Sequence, residues 1–111
     1  MILGVADTHT AIWYLFDDKR LSGTVGEFID QAAVAGERLY RFKGCLCATD
    51  PEHVFKECHL TVDVVEAMRR VARSDVPDMP DRIVAATAVY LNVPVISRDG
   101  RIRASSVQTI W

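Results

Sequence analysis

Short apolar segments alternate with segments of helical periodicity along this 111-residue chain, and the alternation limits the possible folds more than any other feature. Strands are predicted in ILGVAD, LYRF, HVFKECHL, VPVIS and VQTIW. ILGVAD and VPVIS are almost wholly apolar, as strands are when both faces of a parallel sheet are covered. Helical spacing fills the intervals, in TAIWYLFDD, residues 21–33, TVDVVEAMRRVA and the segment after Pro80. In TVDVVEAMRRVA this spacing places Val62, Val65, Met68, Arg69 and Ala72 on one side of the helix. The pattern predicts an α/β domain with helices packed on a mostly parallel sheet.

Residues with capping propensity mark the ends of several predicted helices. Thr8 is a candidate cap for the first helix, and Ser22 or Thr24 for the second. Gly36 suits the end of the second helix, and Pro80 suits the first turn of the later one.

Length, charge and hydropathy exclude several classes of protein. The length fits one domain, residues 1–111, and a net charge of −2 gives no overall basic field for nucleic acid. No stretch approaches the roughly 20 apolar residues of a membrane span, so no membrane association is expected. The start MILGVADTHT lacks the features of a signal peptide, which predicts a cytoplasmic protein with reduced cysteines.

Three aspartates fall where a parallel sheet would bring them together. Asp7 ends the first predicted strand, Asp99 follows VPVIS, and Asp81 opens an alanine-rich helix. Ligands of open α/β sheets bind beyond the carboxyl ends of the strands, so these residues can converge there. Close carboxylates repel one another unless a cation lies between them, and Mg²⁺ or Mn²⁺ prefers such oxygen ligands. The spacing therefore indicates a possible site for one of these ions.

Each aspartate also has a purely structural interpretation. Asp81 in a first helical turn is favourable with the helix dipole, Asp99 in RDGR suits a turn, and Asp7 before THT suits a cap. The residues alone leave both interpretations open.

The segments ILGVADTHTAIWYLFDDKRLS, VPDMPDRIVAATAVYLNVPVISRDGRIRAS and VQTIW together resemble a PIN domain of the VapC type, the toxin of prokaryotic toxin–antitoxin pairs. The resemblance covers Met1 to Gly36 and Pro51 to Trp111, and DRIVAATA followed by VPVISRD is its most specific part. It implies a three-layer α/β/α fold, shortened in the middle, with Mg²⁺- or Mn²⁺-dependent endoribonuclease activity. The implied partners are an RNA substrate, a cognate antitoxin and a second copy of the chain.

The resemblance also assigns roles to individual residues. Asp7, Asp81 and Asp99 match the family's acidic ligands and would be both catalytic and metal-binding. Thr8 and Ser97 would support them, Ser97 standing where a small hydroxyl residue accompanies the last aspartate. Arg98, Arg101 and Arg103 would contact RNA phosphates, for which the guanidinium fork is suited, although a solvated surface explains any one of them.

The middle of the chain departs from this family pattern. Such domains carry a strand, a serine-rich turn and a helix that begins with a glutamate of the acidic site, whereas RLYRFKGCLCATDPEH stands here. The interval from Gly36 to Pro51 is too short for that helix, and Glu37, Asp50 and Glu52 lack its context. We hypothesise that a deletion, with or without a local reading-frame change, removed this part of the domain. A nuclease-dead remnant that only binds a partner protein is accordingly the alternative function.

Two other classes of site fit the sequence less well. A zinc site could draw on Cys45, Cys47, His53, Cys58 and His59, but their spacing fits no usual zinc motif. A phosphoacceptor receiver domain also gathers aspartates above a parallel sheet. It would need paired acids after the first strand and a late lysine, and no lysine follows Lys56.

Overall fold

The computed structural model describes residues 2–42, 54–58 and 60–111, and five strands in these ranges form one sheet. The strands are β1 (Ile2–Ala6), β2 (Arg38–Phe42), β3 (Phe55–Cys58), β4 (Val95–Ile96) and β5 (Thr109–Ile110). The helices are α1 (Thr8–Leu15), α2 (Gly23–Val34), α3 (Val62–Ala67), α4 (Met79–Leu91) and α5 (Gly100–Ala104), and a 3₁₀ turn, Met68–Arg70, continues α3. The order in the sheet is β3-β2-β1-β4-β5, and every pair of neighbours is parallel.

Helices cover both faces of this sheet, and two apolar cores result. Val5 and Val95 project into a core shared with α3, α4 and α5. Their neighbours Ala6 and Ile96 project to the opposite face, into a core shared with α1 and α2. Successive residues of a strand point to opposite faces, which is why both strands had to be apolar throughout. The predicted three-layer α/β/α architecture is confirmed.

The loop between β1 and α1 corrects one predicted cap. Asp7, not Thr8, is the N-cap residue of α1: its backbone is extended, and its Oδ1 accepts a hydrogen bond from the Thr10 N–H at 2.8 Å. Thr8 is already the first helical residue, so its hydroxyl is not in the capping position. At α2 the cap is Ser22, whose Oγ accepts a hydrogen bond from the Val25 N–H at 3.2 Å.

The buried face of α3 differs from the face that the sequence pattern favoured. Val62 and Val65 were expected to share the apolar side with Met68, but they are 78% and 48% exposed. Val64 and Ala67 lie in the core instead, with Val71 beyond the helix. Valines at 62, 64 and 65 give the segment two apolar stripes, and only packing against α4 selects between them.

Some predictions fall on residues 43–53 and 59, outside the described ranges. They include four of the five zinc-type residues, Cys45, Cys47, His53 and His59, and the carboxylates Asp50 and Glu52. The side chain of Cys58 is also outside the description. Within the described ranges, no helix is both long and apolar enough to cross a membrane.

Candidate active site

Asp7, Asp81 and Asp99 line one cleft of about 260 Å³ at the carboxyl edge of the sheet. Asp7 directly follows β1, Asp99 lies three residues beyond β4, and these strands are adjacent in the sheet. Asp81 lies in the first turn of α4, which packs against β1. The buried residues Ala85 and Ala88 of α4 allow that close approach, since neither carries a side chain larger than a methyl group. The fold thus brings together the three residues that the sequence selected.

Ser97 connects two of these aspartates. Its hydroxyl, completely buried, donates a hydrogen bond to Oδ2 of Asp7 and accepts one from the Asp99 N–H at 3.0 Å. Asp7 is itself 7% exposed, so this hydroxyl donor stabilises a carboxylate that has little contact with water. Beside it, the hydroxyl of Thr10 donates to the carbonyl oxygen of Ile96 at 2.8 Å, joining α1 to β4. The positions of Asp7 and Asp99 are therefore coupled through β4 and through Ser97, the residue that follows it.

Asp99 is held by the start of α5. Its Oδ1 accepts hydrogen bonds from the N–H groups of Arg101 at 2.8 Å and Ile102 at 3.2 Å, as an N-cap residue does. Its Oδ2 accepts no hydrogen bond from the described residues. One oxygen therefore fixes the side chain, and the other remains available to a ligand.

Asp81 lies in an unfavourable field of negative charge. Partial burial, together with the nearby charges of Asp99, Asp78 and Asp7, raises its pKa from 3.8 to about 6. Only His9 acts in the opposite direction. No described residue donates a hydrogen bond to the Asp81 carboxylate. The folded chain therefore places an acid where a bound cation would be favourable.

The chemistry of these donors fits a hydrated Mg²⁺ or Mn²⁺ ion. Both ions take carboxylate oxygens, and Mg²⁺ in particular retains several waters and is often held by only one or two carboxylates plus substrate phosphates. Within the described part of the chain, no three Asp, Glu, His or Cys side chains are arranged closely enough to enclose a metal ion by themselves. The available oxygens of Asp81 and Asp99 and the shared cleft nonetheless suit an ion that is bound partly through water.

A second cleft, of about 300 Å³, adjoins the first and shares Asp7, His9 and Asp99 with it. Its other lining residues are Trp13, Arg20 and Arg98. Both guanidinium groups lie over the Trp13 indole, with Cζ at 5.0 Å from the ring centroid for Arg20 and 5.8 Å for Arg98. The carboxylate cleft is therefore continuous with a region that carries two arginines.

The predicted supporting and phosphate-binding residues fall at different places. Thr8 lines the carboxylate cleft, and Arg98 lines the adjoining one. Arg101 and Arg103 are exposed on α5, and neither lines either cleft. Their assignment as RNA contacts stays a prediction.

Sequence reasoning missed three titratable residues of the two clefts. His9 and Asp78 line the carboxylate cleft, and Arg20 lines the adjoining one. His9 and Asp78 lie two and three positions from Asp7 and Asp81, so neighbourhood in the chain was a usable signal. No local signal identified Arg20, because its position in the cleft depends on the path of the loop between α1 and α2.

Glu37, considered as a substitute for the absent glutamate, is distant from this edge. It directly precedes β2, and the start of a parallel strand lies at the opposite edge from the carboxyl ends. A separate cavity of about 250 Å³ lies between β2, β3, α3 and α4, with Tyr40, Val64, Thr87 and Tyr90 in its wall. This cavity is mainly apolar and contains none of the three aspartates.

No protein-family model matches the sequence, and no curated protein matches it either. Among solved structures, the chain is similar to a chain in the crystal structure of VapBC2 from Rickettsia felis bound to a DNA fragment from their promoter. The TM-score is 0.67 at 7% sequence identity, and the match covers 99% of this chain and 98% of that chain. At this identity the likeness concerns the fold, and it confirms the predicted PIN-like architecture.

Proposed function

We propose that this chain is a metal-dependent endoribonuclease, in which Asp7, Asp81 and Asp99 hold Mg²⁺ or Mn²⁺. The observation that carries the proposal is the convergence of these carboxylates, from three distant parts of the sequence, on one cleft. The raised pKa of Asp81 supports it, because the charges that destabilise this carboxylate would bind a divalent cation. The likeness in fold to a chain of the VapBC2 structure agrees with the same class of protein.

The residues of the cleft have separate tasks in this proposal. Asp7 is oriented by Ser97 and by the N–H of Thr10, and Asp99 by the start of α5. Asp81 and the second oxygen of Asp99 are available to ligand the ion or to orient its bound water. A bound divalent ion would polarise the phosphodiester and lower the pKa of a coordinated water. Hydrolysis then joins the water oxygen to phosphorus and breaks the bond to one ester oxygen, which leaves with a proton.

The proposal extends to partners. The neighbouring structure is an assembly of VapBC2 on promoter DNA. By analogy, this chain would be the toxin of a pair, held inactive by a cognate antitoxin protein in the cytoplasm, and would form a homodimer. Co-expression with the protein encoded beside it, followed by measurement of the mass of the purified complex, tests this extension separately from catalysis.

Cleavage of an end-labelled single-stranded RNA by the purified protein tests the activity. We expect cleavage with Mg²⁺ or Mn²⁺, none with a chelator, and none with Asp81→Asn. Asp81 is the suitable position because its carboxylate makes no hydrogen bond with the described residues, so the variant should fold. Asp63→Asn is the matched control, since Asp63 is an exposed carboxylate of α3 that lines neither cleft. Cleavage that survives chelation, or that Asp81→Asn leaves unchanged, would discard the proposed site.

A nuclease-dead protein-binding module is the second candidate. It is favoured by the absence, within the described ranges, of three ligand side chains that could enclose an ion. A missing ligand lowers metal affinity and loosens the position of bound water. Titration calorimetry with Mn²⁺ separates the candidates: a folded protein that neither binds Mn²⁺ nor cleaves RNA would be this module.

A further inference from the structure

We infer that Arg20 and Arg98, arranged over Trp13, form a second subsite that binds the phosphate next to the one at the carboxylate cleft. The inference rests on the proposed function, because it assigns a second contact to the same RNA strand. It adds Arg20, which no sequence pattern indicated, and it gives Arg98 a defined place. The ligand class is a single-stranded oligoribonucleotide with at least two successive phosphodiesters.

The first step is the fixed position of Arg20. Its Nε and one terminal nitrogen donate to the two carboxylate oxygens of Asp18, at 3.0 and 2.8 Å, and its backbone N–H donates to Asp18 at 2.9 Å. These hydrogen bonds hold the pKa of Asp18 at about 2, so the pair is ionised at any physiological pH. A guanidinium held in this way loses little further rotamer freedom when it binds an anion.

The second step concerns Trp13. The indole is only 8% exposed, and its ring also contacts His9 and Trp111, with centroids 5.6 and 5.9 Å away. A ring so enclosed offers no face on which a nucleobase could stack. Its part is to support the two guanidinium groups, which are attracted to its π system. The part of the cleft around Trp13 therefore presents two guanidinium groups to a ligand, and phosphate is the matching chemistry.

The third step concerns the continuity of the two clefts and the charge of the second one. Asp7, His9 and Asp99 belong to both clefts, so a strand can pass from one to the other without leaving the protein surface. Arg98 makes no ion pair with the described residues. With a divalent cation neutralising Asp7 and Asp99, the charge of Arg98 makes the second cleft positive. Arg20 adds its guanidinium N–H donors, and its charge is partly offset by Asp18, which does not line the cleft. The arrangement places one phosphate at the acidic site and the next at the arginines.

Binding measured separately from cleavage tests the subsite. The probe is a fluorescently labelled single-stranded octaribonucleotide, and its anisotropy is followed with the full chain in Ca²⁺ at several salt concentrations. Each phosphate contact to a single strand contributes about 0.7 to the slope of log K against log salt. We expect Arg20→Gln and Arg98→Gln each to reduce the slope by about 0.7, and Arg20→Lys, which retains the charge, to restore it.

The matched control is Arg38→Gln, which removes the same charge at the start of β2, on the opposite edge of the sheet. It should leave the slope unchanged. An equal loss with Arg38→Gln would indicate a diffuse basic surface and overturn the subsite. If circular dichroism shows that Arg20→Gln is not folded, Arg98→Gln alone tests the subsite. The side chain of Arg98 makes no hydrogen bond with the described residues, so its replacement should not disturb the fold.

Octaribonucleotides with a single uncharged methylphosphonate linkage locate the contact. Neutralising one particular linkage should weaken binding to the wild type and leave binding to the Arg20→Gln/Arg98→Gln double variant unchanged. Equal losses for both proteins at every linkage would overturn the inference. Failure of the nuclease proposal would give a different result. If the salt slopes depend on both arginines but no metal-dependent cleavage occurs, the phosphate subsite is supported and the nuclease activity is rejected.

Discussion

The hydroxyl of Ser97 donates a hydrogen bond to the carboxylate of Asp7, a residue 90 positions away in the chain. Because the same oxygen accepts the N–H of Asp99 at 3.0 Å, one buried side chain determines the relative position of two candidate metal ligands. The cleft is therefore organised by β4 as much as by the aspartates themselves.

Replacing Ser97 by alanine should damage both stability and metal binding. Asp7 would lose a buried donor, and leaving a buried acceptor unsatisfied costs about 1–3 kcal/mol. Loss of a partner that orients a metal ligand typically lowers affinity by about 10- to 100-fold. Urea unfolding gives the first quantity, and Mn²⁺ titration calorimetry gives the second.

Ser97→Thr is the control for that experiment, since it retains the hydroxyl at a completely buried position and adds one methyl group. It should bind Mn²⁺ better than Ser97→Ala. If both variants bind Mn²⁺ as tightly as the wild type, Ser97 does not position the ligands.

Replacing Asp81 by asparagine should stabilise the metal-free protein at neutral pH. The pKa of Asp81 is raised from 3.8 to about 6 in the fold, so the folded state binds its proton more tightly than the unfolded chain does. The stability contributed by this group is therefore complete below pH 3.8 and is lost as the pH rises through 6. The shift corresponds to about 3 kcal/mol at most, and solvent screening of this partly exposed group reduces our expectation to about 1 kcal/mol.

Chemical unfolding of both proteins at pH 7.5 and pH 4, with a chelator present, measures the effect. The gain from Asp81→Asn should appear at pH 7.5 and disappear at pH 4. A variant less stable than the wild type at pH 7.5 would show that the carboxylate is stabilised by a contact other than those described.

The places where sequence reasoning succeeded share a physical cause. Asp7 and Asp99 could be located because parallel strands end at a common edge, so any polar residue that follows an apolar strand lies there. Asp81 could be located because a helix that packs against β1 has to begin near the same edge. These inferences need only strand direction and the ends of elements.

The residues that sequence reasoning missed or assigned wrongly are positioned by side-chain packing, which leaves no periodic pattern in the sequence. Arg20 reaches the cleft through the turn after α1, in which Asp17 has the positive φ of +51°, and through its hydrogen bonds to Asp18. The face of α3 was assigned wrongly because Val62, Val64 and Val65 support two stripes equally well. Only contact with another element decides such cases.

Replacing Arg82 by methionine should loosen the loop that precedes α4. Its guanidinium donates to the carbonyl oxygens of Met68 at 3.1 Å, Val71 at 3.0 Å and Val76 at 3.4 Å. Methionine retains the apolar stem but leaves partly buried carbonyls without this donor, which should cost about 2 kcal/mol. Thermal unfolding measures the loss.

Arg69→Met is the control for Arg82. The side chain of Arg69 is 81% exposed and its ion pair with Glu66 spans 3.6 Å, so its loss should change stability by no more than about 0.5 kcal/mol. Equal losses for the two variants would contradict a specific role for the Arg82 hydrogen bonds.

Mn²⁺ should stabilise the wild-type protein more at pH 7.5 than at pH 5.5. Metal and proton compete for Asp81, whose pKa is about 6, so about three-quarters of its carboxylates would be protonated at pH 5.5. The apparent Mn²⁺ affinity should therefore fall about fourfold between the two pH values, and the increase in melting temperature with Mn²⁺ should shrink accordingly. The Asp81→Asn variant should show weaker binding that lacks this part of the pH dependence. A wild-type affinity that does not change over this range would mean that Asp81 is not a ligand, whatever the other two aspartates bind.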